Sequence, residues 1–236
     1  MELYLPYIVI FLAVFTQSLT GFGSALVAMA FLPELLGIQV AAPLVALIAF
    51  TIEFFLLIRY RSSINLSVLW RLVLASILGI PLGIWALKGV SEETLLTMLG
   101  AVITGYALYA LLNFKLPTLE HPIWAYLAGW LSGLLSGAYN TGGPPVVIYG
   151  NCRQWGPAEF KSNLQGFFLI TDLMVIAGHV ISQNITNSVL KYYVFALPVL
   201  ALGILAGTSL DRFINHKTFS KILLVLLVIM GIRLMV

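Results

Sequence analysis

Long apolar stretches separated by short polar ones recur from one end of the chain to the other. The runs at 68–87, 95–112, 167–181 and 222–235 each approach the ~20 residues a helix needs to cross a ~30 Å hydrocarbon layer. They are continuous, whereas the strands of a transmembrane barrel would be segments of about ten residues alternating between apolar and polar. The predicted elements are therefore helices. The interruptions mark ten of them, at 3–19, 24–36, 39–58, 66–87 and 93–113, then at 122–138, 144–152, 160–182, 189–210 and 217–235. The fold class expected is all-α, a polytopic integral membrane protein.

The pattern also repeats. Gly79-Ile80-Pro81-Leu82-Gly83 stands 124 positions before Gly203-Ile204-Leu205-Ala206-Gly207, and Thr94 precedes Thr218 by the same interval. Upstream the interval is 120, pairing Gly23 with Gly143 and Thr51 with Thr171. The chain reads as two transmembrane repeats, 1–115 and 116–236, meeting where Lys115, Pro117, Glu120 and Pro122 break the apolar pattern.

Five segments per half would make the second half enter the membrane from the opposite side, giving inverted repeats. Basic residues test this, because Lys and Arg gather on the cytoplasmic side. With both termini outside, Arg59, Arg61, Arg71, Lys115, Arg153, Lys161, Arg212, Lys217 and Lys221 are cytoplasmic; Lys88, Lys191 and Arg233 are not. If the short segments 24–36 and 144–152 are re-entrant, leaving four spans per half and parallel repeats, only six basic residues fall inside. The inverted arrangement is preferred, each short segment being a partial helix completed by irregular backbone. The chain opens Met1-Glu2-Leu3-Tyr4, acidic where a cleaved leader would be basic, so its first apolar stretch is expected to be retained.

Composition agrees with a bilayer as the surrounding medium. Apolar residues make up 61% and charged residues 9%, and mean hydropathy is +1.03, so little surface suits water. The net charge of +3 is scattered over short loops and does not form a nucleic-acid patch. Cys152 is the single cysteine and His121, His179 and His216 are dispersed, so no metal site or cofactor is expected. No Ser-His-Asp set or phosphate-cradling loop has workable spacing. A membrane enzyme or assembly subunit would need clustered reactive side chains, and the expectation is that the chain is not an enzyme.

Two breaks carry the candidate chemistry. The first reads Thr16-Gln17-Ser18-Leu19-Thr20-Gly21-Phe22-Gly23-Ser24, the second Ser136-Gly137-Ala138-Tyr139-Asn140-Thr141-Gly142-Gly143-Pro144-Pro145. Each stands at the same place in its half. Glycine permits a turn and close approach of a ligand, and proline suits a helix start. A new helix opening at each break would present amide groups and partial positive charge, a setting for an anion. Paired interrupted helices are a sequence pointer to a transporter site. The candidate substrate-binding residues are Gln17, Thr20, Gly21, Gly23, Ser24, Asn140, Thr141, Gly142 and Gly143, joined by Asn163 and Gln165 of segment 160–182. The same glycines could instead serve close helix packing.

On segment 160–182, Gln165, Asp172 and His179 recur every seven residues on nearly one face. Asp172 lies near mid-span, where an ionisable group is costly, and is the candidate proton carrier. Glu53, in the matching helix of the first half, is read as lying nearer the cytoplasm and reaching toward Arg59.

With Thr20-Gly21-Phe22-Gly23-Ser24 followed by Pro33, and Asn140-Thr141-Gly142-Gly143-Pro144-Pro145, the whole chain resembles the TauE/SafE sulfite exporter family, also called the 4-toluenesulfonate uptake permease family. That resemblance implies a multi-pass carrier in a bacterial or archaeal inner membrane. Its partners would be a small anion, namely sulfite, a sulfonate such as sulfoacetate or a related sulfur compound, together with the lipid bilayer and protons. Ser24 departs from the family's richer glycine run, and neither break holds a basic residue. The expected mechanism is secondary transport by alternating access, one half moving against the other. A passive anion channel is the alternative.

Overall fold

The computed structural model describes residues 4–60, 64–112, 117–210 and 213–236. Arg61, Lys115, Arg212 and the expected boundary between 1–115 and 116–236 lie outside the described residues. Among the described residues the regular elements are ten α-helices. In order they are α1 (Leu5–Thr20), α2 (Ser24–Leu36), α3 (Ile38–Tyr60), α4 (Leu66–Gly89), α5 (Glu92–Leu112), α6 (Ile123–Tyr139), α7 (Gly143–Cys152), α8 (Pro157–Ile181), α9 (Asn187–Leu210) and α10 (His216–Arg233). All ten expected segments are present, with ends shifted by three residues at most.

Local chemistry sets several ends. Pro6, Pro144 and Pro157 stand in the first turns of α1, α7 and α8, where the missing N–H costs nothing. Helix α1 closes on Gly21 at φ 87° and α6 on Asn140 at φ 53°, both left-handed. These are the residue types that adopt that conformation with least strain. At α10 the Asn215 side chain accepts from the amides of Lys217 and Thr218.

Helices α3, α4, α5, α8 and α9 are long and apolar enough to cross a membrane. Helix α10, 18 residues long, runs antiparallel to α5: Gly100 sits against Gly231 and Leu234, while Tyr106 and Ala110 share a cavity with Ser220 and Leu224. The outer surface is apolar, with Leu78, Trp85, Phe195, Leu202, Leu205 and Ile222 exposed. Contiguous exposure of this kind suits lipid.

The first two helices of each half differ from expectation. Helices α1 and α2 have 16 and 13 residues, and α6 and α7 have 17 and 10, or about 24, 20, 26 and 15 Å. They do not join into a span completed by irregular backbone, nor is the short segment alone re-entrant. Instead α2 packs back on α1, and α7 on α6, as hairpins.

Contacts at the ends show this. The end of α2 is tied to the end of α10 by the Glu34–Arg233 ion pair at 2.9 Å. The start of α3 is tied to the α4–α5 turn by Ile38 N–H donating to Glu92, and the end of α4 to the α8–α9 turn by Lys88 donating to the Ser182 carbonyl. The start of α1 lies at this same end, through Tyr7 against Tyr192 of α9. Helix α1 therefore enters from one end and α2 returns to it. Helix α7 returns to the opposite end, where Arg153 donates to the Leu119 carbonyl just before α6.

Each hairpin is held by a long helix of the other half. Helix α6 runs parallel to α4, with Gly129 against Leu72, Gly133 against Ser76 and Gly137 against Ile80. Gly79 and Gly83 of α4 answer with the backbone of Trp130, Leu134 and Ala138. Helix α1 runs parallel to α9 in the same way, a Cβ at Gly203 coming 2.9 Å from Val14 and one at Gly207 meeting Ser18. The glycine motifs that mark the repeat in sequence are thus the two seams on which backbones touch.

Candidate functional site

The two hairpin tips meet inside the bundle. They border a cavity of about 30 Å³, space for about one or two water molecules. It is lined by Gln17, Ser24, Glu53, Asn140, Thr141 and Asp172, with the backbone of Gly23, Gly142 and Gly143 and the rings of Phe22 and Phe168.

Gln17 is the hub of the first tip. Its Oε1 accepts the backbone N–H of Ser24 at 3.1 Å and also the Ser24 hydroxyl. A backbone N–H can only donate, so this contact fixes which end of the amide faces α2. The Gln17 NH2 then points at α3, where it donates to Oε1 of Glu53. Gln17 and Glu53 are each 2% exposed.

The second tip is braced from below by serines. Ser132 donates to the Gly142 carbonyl at 2.6 Å, and Asn140 N–H to the Ser136 carbonyl at 2.8 Å. A Cβ at Gly142 would strike both serine hydroxyls, so only glycine fits there. The Asn140 side chain lines the cavity together with Asp172 of α8. Two of the first three residues of α7 are Pro144 and Pro145, which have no N–H. The helix start therefore offers a dipole with fewer donors than the expected anion cradle.

Among the described residues several buried polar atoms have no hydrogen-bond partner: Glu53 Oε2, Asp172 Oδ2, Asn140 Oδ1 and Thr141 Oγ1 around the cavity, and Asn163 Nδ2 and Gln165 Oε1 nearer the start of α8. Buried polar groups without a partner are uncommon in folded proteins.

Of the twelve residues singled out from sequence, Gln17, Gly23, Ser24, Asn140, Thr141, Gly142, Gly143 and Asp172 line one cavity. The other four stand outside it. Thr20 faces a second cavity beyond Phe22, lined also by Tyr106 and Leu223, and its hydroxyl donates within the turn to the Thr16 and Phe22 carbonyls. The Gly21 carbonyl accepts from Gln165 at 2.6 Å, which holds the first tip against α8. Asn163 accepts from the Asn65 backbone at 2.7 Å and joins α8 to the start of α4. His179 bonds Asn184 at 3.0 Å, away from the cavity.

Glu53 requires a correction. It does not reach toward the cytoplasmic end of its helix; it is buried in the cavity wall and bonded to Gln17. The sequence held a signal for it. Glu53 precedes Asp172 by 119 positions, the same interval that separates the two left-handed turn residues Gly21 and Asn140.

Among the described residues no group of His, Cys, Asp and Glu could hold a metal ion, and Cys152 is a free buried thiol. No solved structure matches the chain. A probable inner membrane transporter protein, TsaS of Comamonas testosteroni, is 25% identical over 174 residues, covering 71% of this chain and 73% of its own. The sulfite exporter TauE/SafE family matches residues 7–234. Nearly the whole chain is thus accounted for by one pattern, and the protein belongs to this family of membrane transporters.

Proposed function

We propose that the protein is a secondary carrier in a bacterial inner membrane for a small sulfur-containing anion, sulfite or a sulfonate such as sulfoacetate. The observation that carries this reading is the cavity between two hairpins that enter the bundle from opposite ends, its wall carrying amide and hydroxyl side chains beside the carboxyls of Glu53 and Asp172. Gln17, Ser24, Asn140 and Thr141 are the groups in reach of an anion's oxygens, aided by the partial charges of the hairpin helices. The family membership and the named relative support transport, and the size of the cavity fits a closed conformation that must part to admit cargo.

The packing favours inverted repeats. Exchanging α1–α5 for α6–α10 turns α1·α9 into α6·α4, α1·α2 into α6·α7 and α3·α9 into α8·α4, each a contact that exists. The mates α3 and α8 are antiparallel, with Ala46 near Val175 and Glu53 near Asp172, as are α5 and α10. Antiparallel mates place the two-fold axis in the membrane plane. Arg71, Arg153, Lys161, Lys217 and Lys221 belong to one end of the bundle and Lys88, Lys191 and Arg233 to the other, so the first end is cytoplasmic.

Two measurements test the reading. Proteoliposomes holding the purified protein are expected to take up labelled sulfite or sulfoacetate saturably; absence of flux for every small sulfur oxyanion tried would remove the assignment. For the topology, cysteines are placed at the exposed positions Ser91 and Ala158 in a Cys152→Ser background. An impermeant maleimide applied to intact cells should label S91C and spare A158C. Labelling of both, or of A158C alone, would contradict the orientation.

A further inference from the structure

Glu53 comes from the first half of the chain and Asp172 from the second, and both face the same cavity. They are 2% and 4% exposed. Gln17 donates to Glu53 and Asn140 stands at the cavity with Asp172, while among the described residues Glu53 Oε2 and Asp172 Oδ2 have no partner. A further buried acceptor at the cavity, Asn140 Oδ1, is also unmatched among the described residues. Acceptors gathered against acceptors need hydrogens from elsewhere.

The surrounding helices place no compensating charge at the cavity among the described residues. Among the described residues the cavity is lined by no Lys, Arg or His. On α8, Glu159 bonds Asn65, Lys161 lies against Gly21 and His179 bonds Asn184. On α9, Tyr193 shares a hydrogen bond with Thr51. Helix α1 carries Tyr7 at its outer end against Tyr192, and α2 carries Glu34 paired with Arg233. Helix α6 contributes Tyr139, and α7 contributes Tyr149 packed on Trp155. Of the α4 cations, Lys88 is at the far end on the Ser182 carbonyl and Arg71 lies over Trp70.

Two neighbouring carboxylates buried without a cation cannot both hold a negative charge. An anion entering the same cavity sharpens the conflict. A proton on a carboxyl removes its charge and also supplies an O–H donor of the kind that Asn140 Oδ1 lacks.

We propose that Glu53 and Asp172 form a paired carboxyl site that takes up protons together with the anion and releases them with it, so that one cavity couples the two fluxes. This rests on the carrier reading above. Because linkage is reciprocal, protonation raises affinity for the anion and the anion raises affinity for the proton by the same factor.

The test uses full-length protein in liposomes with the membrane potential clamped, and toluenesulfonate, which has no titratable group near neutral pH. Exchange of labelled for unlabelled toluenesulfonate without any gradient establishes carriage by itself. An outside-acid gradient of one pH unit should then concentrate the label about tenfold for each coupled proton, and a trapped pH dye should show the lumen acidify when substrate is added. Glu53→Gln and Asp172→Asn should each lower the ratio of gradient-driven accumulation to exchange by at least about fivefold. Exchange with neither accumulation nor acidification in the unaltered protein overturns the proposal while leaving the carrier reading intact. So does accumulation driven by sodium instead of protons, or retention of the unaltered ratio by both variants. Lack of exchange for any anion removes the carrier reading and this proposal together. If the variants fail to reconstitute, the unaltered protein's accumulation and dye response decide.

Discussion

Gln17→Ala is expected to lower uptake per folded molecule by about a hundredfold or more. Alanine removes the acceptor of two Ser24 donors and the donor to Glu53 in one step. Each buried group left unpaired costs about 1–3 kcal/mol, and the first hairpin tip loses its tie to α3. Gln17→Glu should be as harmful for a different reason. It keeps the acceptor for Ser24 but replaces the NH2 with an oxygen of a third carboxyl group, facing Glu53 and near Asp172. Initial rates in proteoliposomes, normalised to protein that elutes as a single folded species, give the measurement. Rates within twofold of the unaltered protein for Gln17→Ala would show that the hub is dispensable.

Gly133→Val is expected to abolish stable folding or to lower Tm by about 5–10 °C. A Cβ there meets the Ser76 carbonyl and Cα, and the neighbouring contacts Gly129–Leu72 and Gly137–Ile80 hold the two backbones at the same close approach. Overpacking of side chains costs about 1–3 kcal/mol, and for a chain of this size each kcal/mol shifts Tm by about 2–4 °C. A backbone clash has no rotamer by which to escape, so the upper end applies. Gly105→Ala is the control: nothing lies within 4 Å of a Cβ at that position, and stability should stay within about 0.5 kcal/mol. Thermal unfolding in detergent reads both variants. Equal Tm values for the two would mean that the seam tolerates separation.

The helical elements were legible because their boundaries are written locally. Glycine, proline and charge interrupt the apolar runs at 21–23, 37, 140–145 and 153–157, and the helices end there. The folding back of α2 on α1 was not legible. A segment that crosses and one that returns carry the same apolar pattern, and the choice depends on left-handed torsions at Gly21, Gly23 and Asn140 and on packing against the other half.

The candidate site divided in the same manner. Polar residues confined to the two breaks came together, because both tips point into one interior. Asn163 and Gln165 share a helix with Asp172 but brace backbone at Asn65 and Gly21, a role that helical spacing cannot distinguish from ligand contact. At the interval of 120 that pairs Gly23 with Gly143, Glu53 falls opposite Leu173. Shifting by one residue aligns it with Asp172.

The crossed seams carry a mechanical consequence. Because α1 is fastened to α9 and α6 to α4 along glycine contacts, each hairpin is packed on a strut drawn from a distant part of the chain. A rigid unit built on these seams is a composite of early and late helices. A split chain, translated as two pieces, would have to interlace before either piece acquired a solid body.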